Sequence, residues 1–182
     1  LMFFASRMLE NEVDGEYADV MERAFYNTVL AGVQLDGKRF FYCNPLEIVP
    51  GISGVASTHW HTKPQRPGWY TCACCPPNAA RLISSFGKYA YGESDDTAYC
   101  HMYAAGEISF ENGLKMTCDT EYPYGFDVSY RITAGEKRLA LRIPQWSRKW
   151  SVLLNGAAVD AAAEKGYLYL DVRAGDEVKL TL

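Results

Sequence analysis

Three of the six cysteines in this 182-residue chain fall within four positions, in the run Thr71-Cys72-Ala73-Cys74-Cys75-Pro76-Pro77-Asn78. A disulfide framework spreads its cysteines along a chain, and adjacent Cys74 and Cys75 cannot bridge each other without strain. Free thiols with a metal-binding or catalytic use are therefore expected. Proline fits the first turn of a helix, so Pro76-Pro77 should place the vicinal pair at a helix N-terminus. Unpaired N–H groups and the macrodipole favour negative charge there, a thiol loses its proton more readily, and the thiolate is both a nucleophile and a metal ligand. Two neighbouring thiolates repel, and a divalent cation would relieve the repulsion; zinc is the natural choice for a soft sulfur pair. The spacing Cys72-x-Cys74 is not the C-x-x-C of zinc ribbons, and no second such pair completes a finger, so a self-contained zinc finger is not expected. For Cys43, Cys100 and Cys118 the plainer reading is a small buried hydrophobe.

Other side chains crowd the approach to the cysteines. His59-Trp60-His61, Lys63 and Trp69-Tyr70 offer aromatic faces and hydrogen-bonding groups of the kind a sugar site needs, although each alone reads as an ordinary loop or core residue. In an extended segment His59 and His61 would point the same way, which makes them the fallback zinc ligands for a site built wholly within this chain. Glu10, Glu12, Asp14, Glu16, Asp19 and Glu22 read as a solvated helical face.

The elements that must position these groups change character along the chain. Leu1 to Leu9 reads as helix from its first residue with no capping side chain before it, so this helix is expected to continue upstream. After Asp14-Gly15, apolar residues recur at three- and four-residue spacing from Tyr17 to Val29, predicting one helix up to Gly32. Asp36-Gly37, between Val33-Gln34-Leu35 and Arg39 to Tyr42, predicts a small β-hairpin. Residues 44–70 are irregular and rich in proline and glycine, too long for a mere connection. A further helix is predicted from Pro76-Pro77 to about Tyr91. From Thr97 the period changes to two, and about eight short strands separated by Glu111-Asn112-Gly113, Ala134-Gly135, Asn155-Gly156 and Ala174-Gly175-Asp176 predict an antiparallel β-sandwich. The polar Gly92 to Asp96 stretch is the expected hinge, giving an α+β protein with domains at 1–92 and 93–182.

Composition narrows the partners. The chain is 48% hydrophobic and 14% aromatic, enough for a packed core, and carries a formal net charge of −4. It lacks the basic excess of a phosphate-backbone binder, so no nucleic acid is expected. Its apolar runs fall far short of the ~20 residues that span a bilayer, so no membrane partner is expected either. No signal peptide opens the sequence. Reduced-looking cysteines favour the cytoplasm, with a periplasmic or secreted location as the alternative.

The cysteine run, together with Tyr26-Asn27-Thr-Val-Leu-Ala-Gly32, Asp36-Gly-Lys-Arg-Phe-Phe-Tyr42, Asn44-Pro-Leu-Glu47, Tyr122-Pro123 and Leu141-Arg-Ile-Pro-Gln-Trp146, resembles the β-L-arabinofuranosidase family, glycoside hydrolase family 127. The resemblance implies that residues 1–92 are the C-terminal helices of an (α/α) barrel and that residues 93–182 are β-sandwich. It implies a retaining glycoside hydrolase in which Cys74 is the nucleophile and both Cys74 and Cys75 bind zinc. It also places Tyr42, after the paired phenylalanines, in the sugar pocket; a strand tyrosine with a wetted tip is the plainer reading of that residue. The implied substrate is an L-arabinofuranoside-containing oligosaccharide or glycoconjugate. In that family a glutamate and a cysteine of a Glu-Thr-Cys motif complete the zinc site just before the segment matching Leu1, and the acid/base glutamate lies further upstream. The chain is then expected to be a fragment, inactive alone, and a truncated barrel exposing apolar surface is expected to self-associate as a homo-oligomer or aggregate.

Two other classes fit the same residues. A carbohydrate-binding sandwich would use exposed tryptophans such as Trp146 and Trp150 and ignore chelators, whereas a structural zinc domain would hold metal with inert thiols and lose its fold on chelation.

Overall fold

The apolar spacing of the first third produces helix where expected. In a computed structural model that describes residues 1–70 and 74–182, helix α1 spans Met2–Asn11 and α2 spans Gly15–Ala24. Met2, Ala5 and Leu9 are buried on one side of α1, and Ala18, Met21 and Ala24 on one side of α2. The Asp14 carboxylate accepts the Glu16 N–H at 2.9 Å and starts α2. The helix expected to reach Gly32 instead widens into a π turn over Phe25–Val29 and tightens into a 3-10 turn over Leu30–Gly32. The predicted hairpin shrinks to one antiparallel bridge between Val33 and Phe40, closed through Gly37 at φ +71°. Helix α3 spans Cys75–Ser84 and ends at Ser85, earlier than predicted; a short α4, Gly87–Ala90, follows.

The chain divides into two compact units, one made of Leu1–Met2 and Met21–Phe86, the other of Phe3–Val20 and Gly87–Leu182. The second holds ten strands among the described residues: β1 Tyr91–Glu93, β2 Thr97–Cys100, β3 Gly106–Ser109, β4 Lys115–Thr120, β5 Asp127–Ala134, β6 Glu136–Arg142, β7 Ser151–Leu154, β8 Ala157–Ala158, β9 Tyr167–Arg173 and β10 Glu177–Thr181. They form a four-stranded sheet, β1-β2-β6-β9, and a six-stranded sheet, β3-β4-β5-β10-β7-β8. The alternation seen in the sequence becomes the shared core. Val128, Tyr130 and Ile132 of β5 with Val178 and Leu180 of β10 meet Leu139 and Leu141 of β6 and Leu168, Leu170 and Val172 of β9. One pairing departs from the antiparallel expectation: β2 and β6 run parallel, with Tyr99 opposite Ala140. The two strands beyond the eight expected, β1 and β8, are only three and two residues long, too short for alternation to register.

The face of the four-stranded sheet turned away from that core is also covered. Ala140, Arg142 and Tyr167 are fully buried without belonging to the shared core. Arg142 Nη1 donates to Asp19 of α2, and its Nε donates to the His101 carbonyl at 2.5 Å. The Asp19 carboxylate also accepts the Gln145 N–H. Close by, Gly15 N–H donates to the Lys165 carbonyl at 2.8 Å, and the two backbones meet so tightly that a Cβ on Gly15 would lie 3.0 Å from Gly166 Cα. Asp19 therefore does not belong to a solvated acidic face, as the sequence pattern suggests; it neutralises a buried guanidinium.

A buried ion pair that loses one partner leaves an uncompensated charge. Asp19→Ala is expected to lower stability by about 3 kcal/mol, measured by urea unfolding followed on the strand signal. The His101 imidazole, bonded through Nδ1 to the Tyr167 hydroxyl at 2.7 Å, is lowered to about 4 by burial and by nearby Arg142. The unfolded chain then binds the proton first, so stability should fall by about 3 kcal/mol as pH drops from 6.5 to 4. A His101→Phe variant should lose that slope in unfolding measured across the same window.

Candidate active site

The irregular end of α2 sets up the site. A π turn shifts the carbonyls out of their usual ladder and leaves them open to donors from outside the helix. Asn44 Nδ2 donates to the Thr28 carbonyl at 2.7 Å, and Arg66 Nη2 donates to the Ala31 carbonyl at 2.5 Å while its guanidinium lies 4.6 Å from the centre of the Phe41 ring. Gly32 is glycine because a Cβ there would sit 3.1 Å from Asn44 Oδ1. Phe41 N–H donates to the Gly32 carbonyl and Phe40 N–H to the Pro67 carbonyl. Both ends of the long irregular segment are thus fastened to the helix end, which fixes the backbone at Tyr42.

Tyr42 and Cys74 then meet. The Tyr42 hydroxyl lies 2.9 Å from Cys74 Sγ, with either atom able to donate. Cys74 occupies the N-cap position of α3, exposed, with helical φ and ψ and no side-chain cap bond; Asn78 Nδ2 donates to its carbonyl at 2.9 Å. Cys75 is the first helical residue and half-buried. Its thiol is pushed up by burial, then by its hydrogen bond and charge interaction with Cys74, while the Tyr42 hydroxyl acts the other way. Burial thus opposes, at Cys75, the easier proton loss expected at a helix start.

Around this pair stand rings. His61 stacks on Tyr42 with ring centres 4.8 Å apart and planes 22° apart, and Trp60 packs against His61. Tyr70 is buried, leans on both Phe40 and Tyr42, and its hydroxyl accepts the Tyr42 N–H at 3.1 Å. Lys63 Nζ lies 5.9 Å from the Trp60 ring centre.

Sequence reasoning named Cys74, Cys75 and Tyr42, and the fold brings these three together. It gave Tyr70 no structural part, although a tyrosine just ahead of the cysteine run was a usable signal. His59 and His61 do not form the fallback zinc site. They lie in tight turns rather than an extended stretch, His59 Nδ1 is paired with Thr58 Oγ1 at 2.8 Å, and no group of three His, Cys, Asp or Glu among the described residues could hold a metal ion. Cys72 lies outside the described residues. Cys100 and Cys118 are buried in the sandwich core, where burial pushes their thiols up to about 12 and about 11. Cys43 departs from the buried reading and is exposed. Of the tryptophans considered for sugar binding, Trp146 is half exposed, but Trp150 packs against the sandwich core.

Comparison with known proteins identifies the class as glycoside hydrolases. A model of the β-L-arabinofuranosidase GH127 catalytic domain matches residues 1–88, and a model of the GH127 middle domain matches residues 97–182. The chain belongs to the β-L-arabinofuranosidase family GH127. It is 38% identical over 191 residues to the non-reducing end β-L-arabinofuranosidase of Bifidobacterium longum subsp. longum, a match covering all of this chain and 29% of that protein. Among solved structures it resembles Ara127N-Se, a GH127 β-L-arabinofuranosidase from Geobacillus stearothermophilus T6, at TM-score 0.85 and 44% identity, covering 99% of this chain and 30% of the other. A GH127 β-arabinofuranosidase, BT3674, matches at TM-score 0.83 and 30% identity over 99% and 30% of the two chains. The chain thus spans about three tenths of the length of these relatives.

A phenol O–H donated to a thiolate stabilises the charged form. Hydrogen bonds to charged groups contribute ~1.5–3 kcal/mol, less at an exposed sulfur. Tyr42→Phe should therefore raise the pH midpoint of Cys74 alkylation by about one unit, read by mass spectrometry across a pH series with a chelator present.

Proposed function

We propose that this chain carries the nucleophile of a retaining β-L-arabinofuranosidase, with Cys74 as that nucleophile. The supporting observation is the 2.9 Å contact between the Tyr42 hydroxyl and an exposed Cys74 Sγ at a helix N-terminus. Retaining glycosidases ordinarily use two carboxyl groups, one as nucleophile and one as acid/base. A thiolate replaces the first in this proposal. Cys74 Sγ attacks the anomeric carbon as the bond to the leaving oxygen breaks, a protonated carboxyl delivers its proton to that oxygen, and water later displaces the sulfur. The two displacements retain the anomeric configuration. Tyr42 orients the attacking sulfur, and the rings of His61, Trp60 and Tyr70 dry and shape its surroundings.

Cys74 and Cys75 suit zinc as half of a donor set: they are adjacent and hydrogen-bonded to each other, and without a cation burial favours the protonated Cys75. A zinc ion held there would keep the thiolate deprotonated at neutral pH. The remaining donors and the carboxyl acid/base are assigned to the part of the relatives' length that this chain does not span, as are the other helices of an (α/α) barrel. The substrate proposed is an L-arabinofuranoside at the end of an oligosaccharide or glycoconjugate, and the proposed compartment is cytoplasmic.

In a protein that joins this chain to the remaining donors, elemental analysis should find zinc bound, and chelation should speed Cys74 alkylation without unfolding the protein. Inert thiols and loss of fold on chelation would instead mark a structural zinc domain. In a protein that includes this chain and cleaves a β-L-arabinofuranoside, Cys74→Ala should lower kcat by at least ~10³-fold. NMR of the first product should show the retained anomer; Cys74→Ala activity near the parent level would refute the assignment.

A further inference from the structure

His61 is the neighbour of Tyr42 that the proposed chemistry does not use. Its ring lies flat on Tyr42, and its Nδ1 is buried with no hydrogen-bond partner among the described residues. With that nitrogen unpaired among the described residues, ring contacts with Tyr42 and Trp60 position the imidazole and, in return, the phenol. The main chain of Tyr42 is fixed separately, through its N–H to the Tyr70 hydroxyl. Tyr70 touches the Tyr42 ring only at a tilt of 50°, whereas His61 is stacked at 22°. Without the stacked ring, the main chain would stay in place while the phenol lost the flat contact that sets its plane and so the aim of its hydroxyl at Cys74.

We propose that His61 is a positioning residue that acts through Tyr42, holding the phenol by stacking so that its hydroxyl stays on Cys74 Sγ. The proposal rests on the reading of Cys74 as the reactive thiol. It assigns His61 the work of a flat ring, and its nitrogens no part in the chemistry.

A double-mutant cycle tests it. The readout is the iodoacetamide alkylation rate of Cys74 at pH 7 with a chelator present, resolved from its neighbours by mass spectrometric sequencing. Raising a thiol pKa by one unit below that pKa cuts the thiolate about tenfold, but nucleophilicity rises by about threefold, leaving about threefold slower labelling. Tyr42→Phe and His61→Ala should each show that loss, and the double variant should be no slower than Tyr42→Phe alone. His61→Phe should label within about 1.5-fold of the parent, because stacking survives, on the same coupling logic. An unchanged rate in His61→Ala, the same loss repeated in the Tyr42→Phe background, or His61→Phe as slow as His61→Ala would overturn the proposal. If circular dichroism shows that His61→Ala does not fold, His61→Leu takes its place, with apolar bulk but no flat ring. The cycle reads only the thiol. A hydrolase that keeps its activity in Cys74→Ala would therefore sink the nucleophile reading and leave the His61 result standing.

Discussion

The first unit depends on two hydrogen bonds made where α2 widens into the π turn and then tightens, because carbonyls freed from the helix there take donors from outside it. Asn44 and Arg66 supply two of them, and both residues lie beyond the bridge that follows the helix. These bonds draw residues 44–70 back against the helix end and fix the segment that presents Tyr42. The irregularity of the helix and the placement of the candidate nucleophile's neighbour are therefore one structural fact. The loop's length is explained the same way: a short connection could not return to the helix end and also bring Trp60, His61 and Tyr70 beside Tyr42.

The second unit solves a different problem. Arg142 sits on a strand whose consecutive residues Leu139 to Arg142 are all buried, so one face of β6 serves the sandwich core and the other lies under the helical segment. A guanidinium in that position is costly unless an opposite charge stands beside it. Asp19 supplies the opposite charge, while the His101 carbonyl takes the Nε proton. The ion pair thus fixes how the part of α2 around Asp19 sits on the sheet, something an apolar face alone would leave free to slide.

Much of this was legible in the sequence, and the rest failed for physical reasons. Alternation over Phe126 to Ile132 and Glu177 to Leu182 gave true strands, because one face of each is core and the other solvent. The vicinal cysteines before paired prolines gave the start of α3. Periodicity could not see the π turn, since the apolar spacing runs through it unbroken. Strand direction was equally hidden, because β2 and β6 read alike whether parallel or antiparallel. Asp19 was misread because a helix pattern records which face is acidic but not that a buried arginine 123 residues away lies beneath it. His61 was read both as an aromatic group near the cysteines and as a fallback zinc ligand, and the structure stacks its ring on Tyr42.

The separation of Asp19 from Arg142 also bears on how the chain is made. A ribosome adds about 5–20 residues each second, so the arginine emerges roughly ten seconds after its carboxylate. Throughout that interval residues 3–20 have no sheet to rest on, and the parallel β2–β6 pairing delays the sheet further because it must await the hairpins between them. A carboxylate destined for a buried ion pair consequently waits in solvent until β6 has been made.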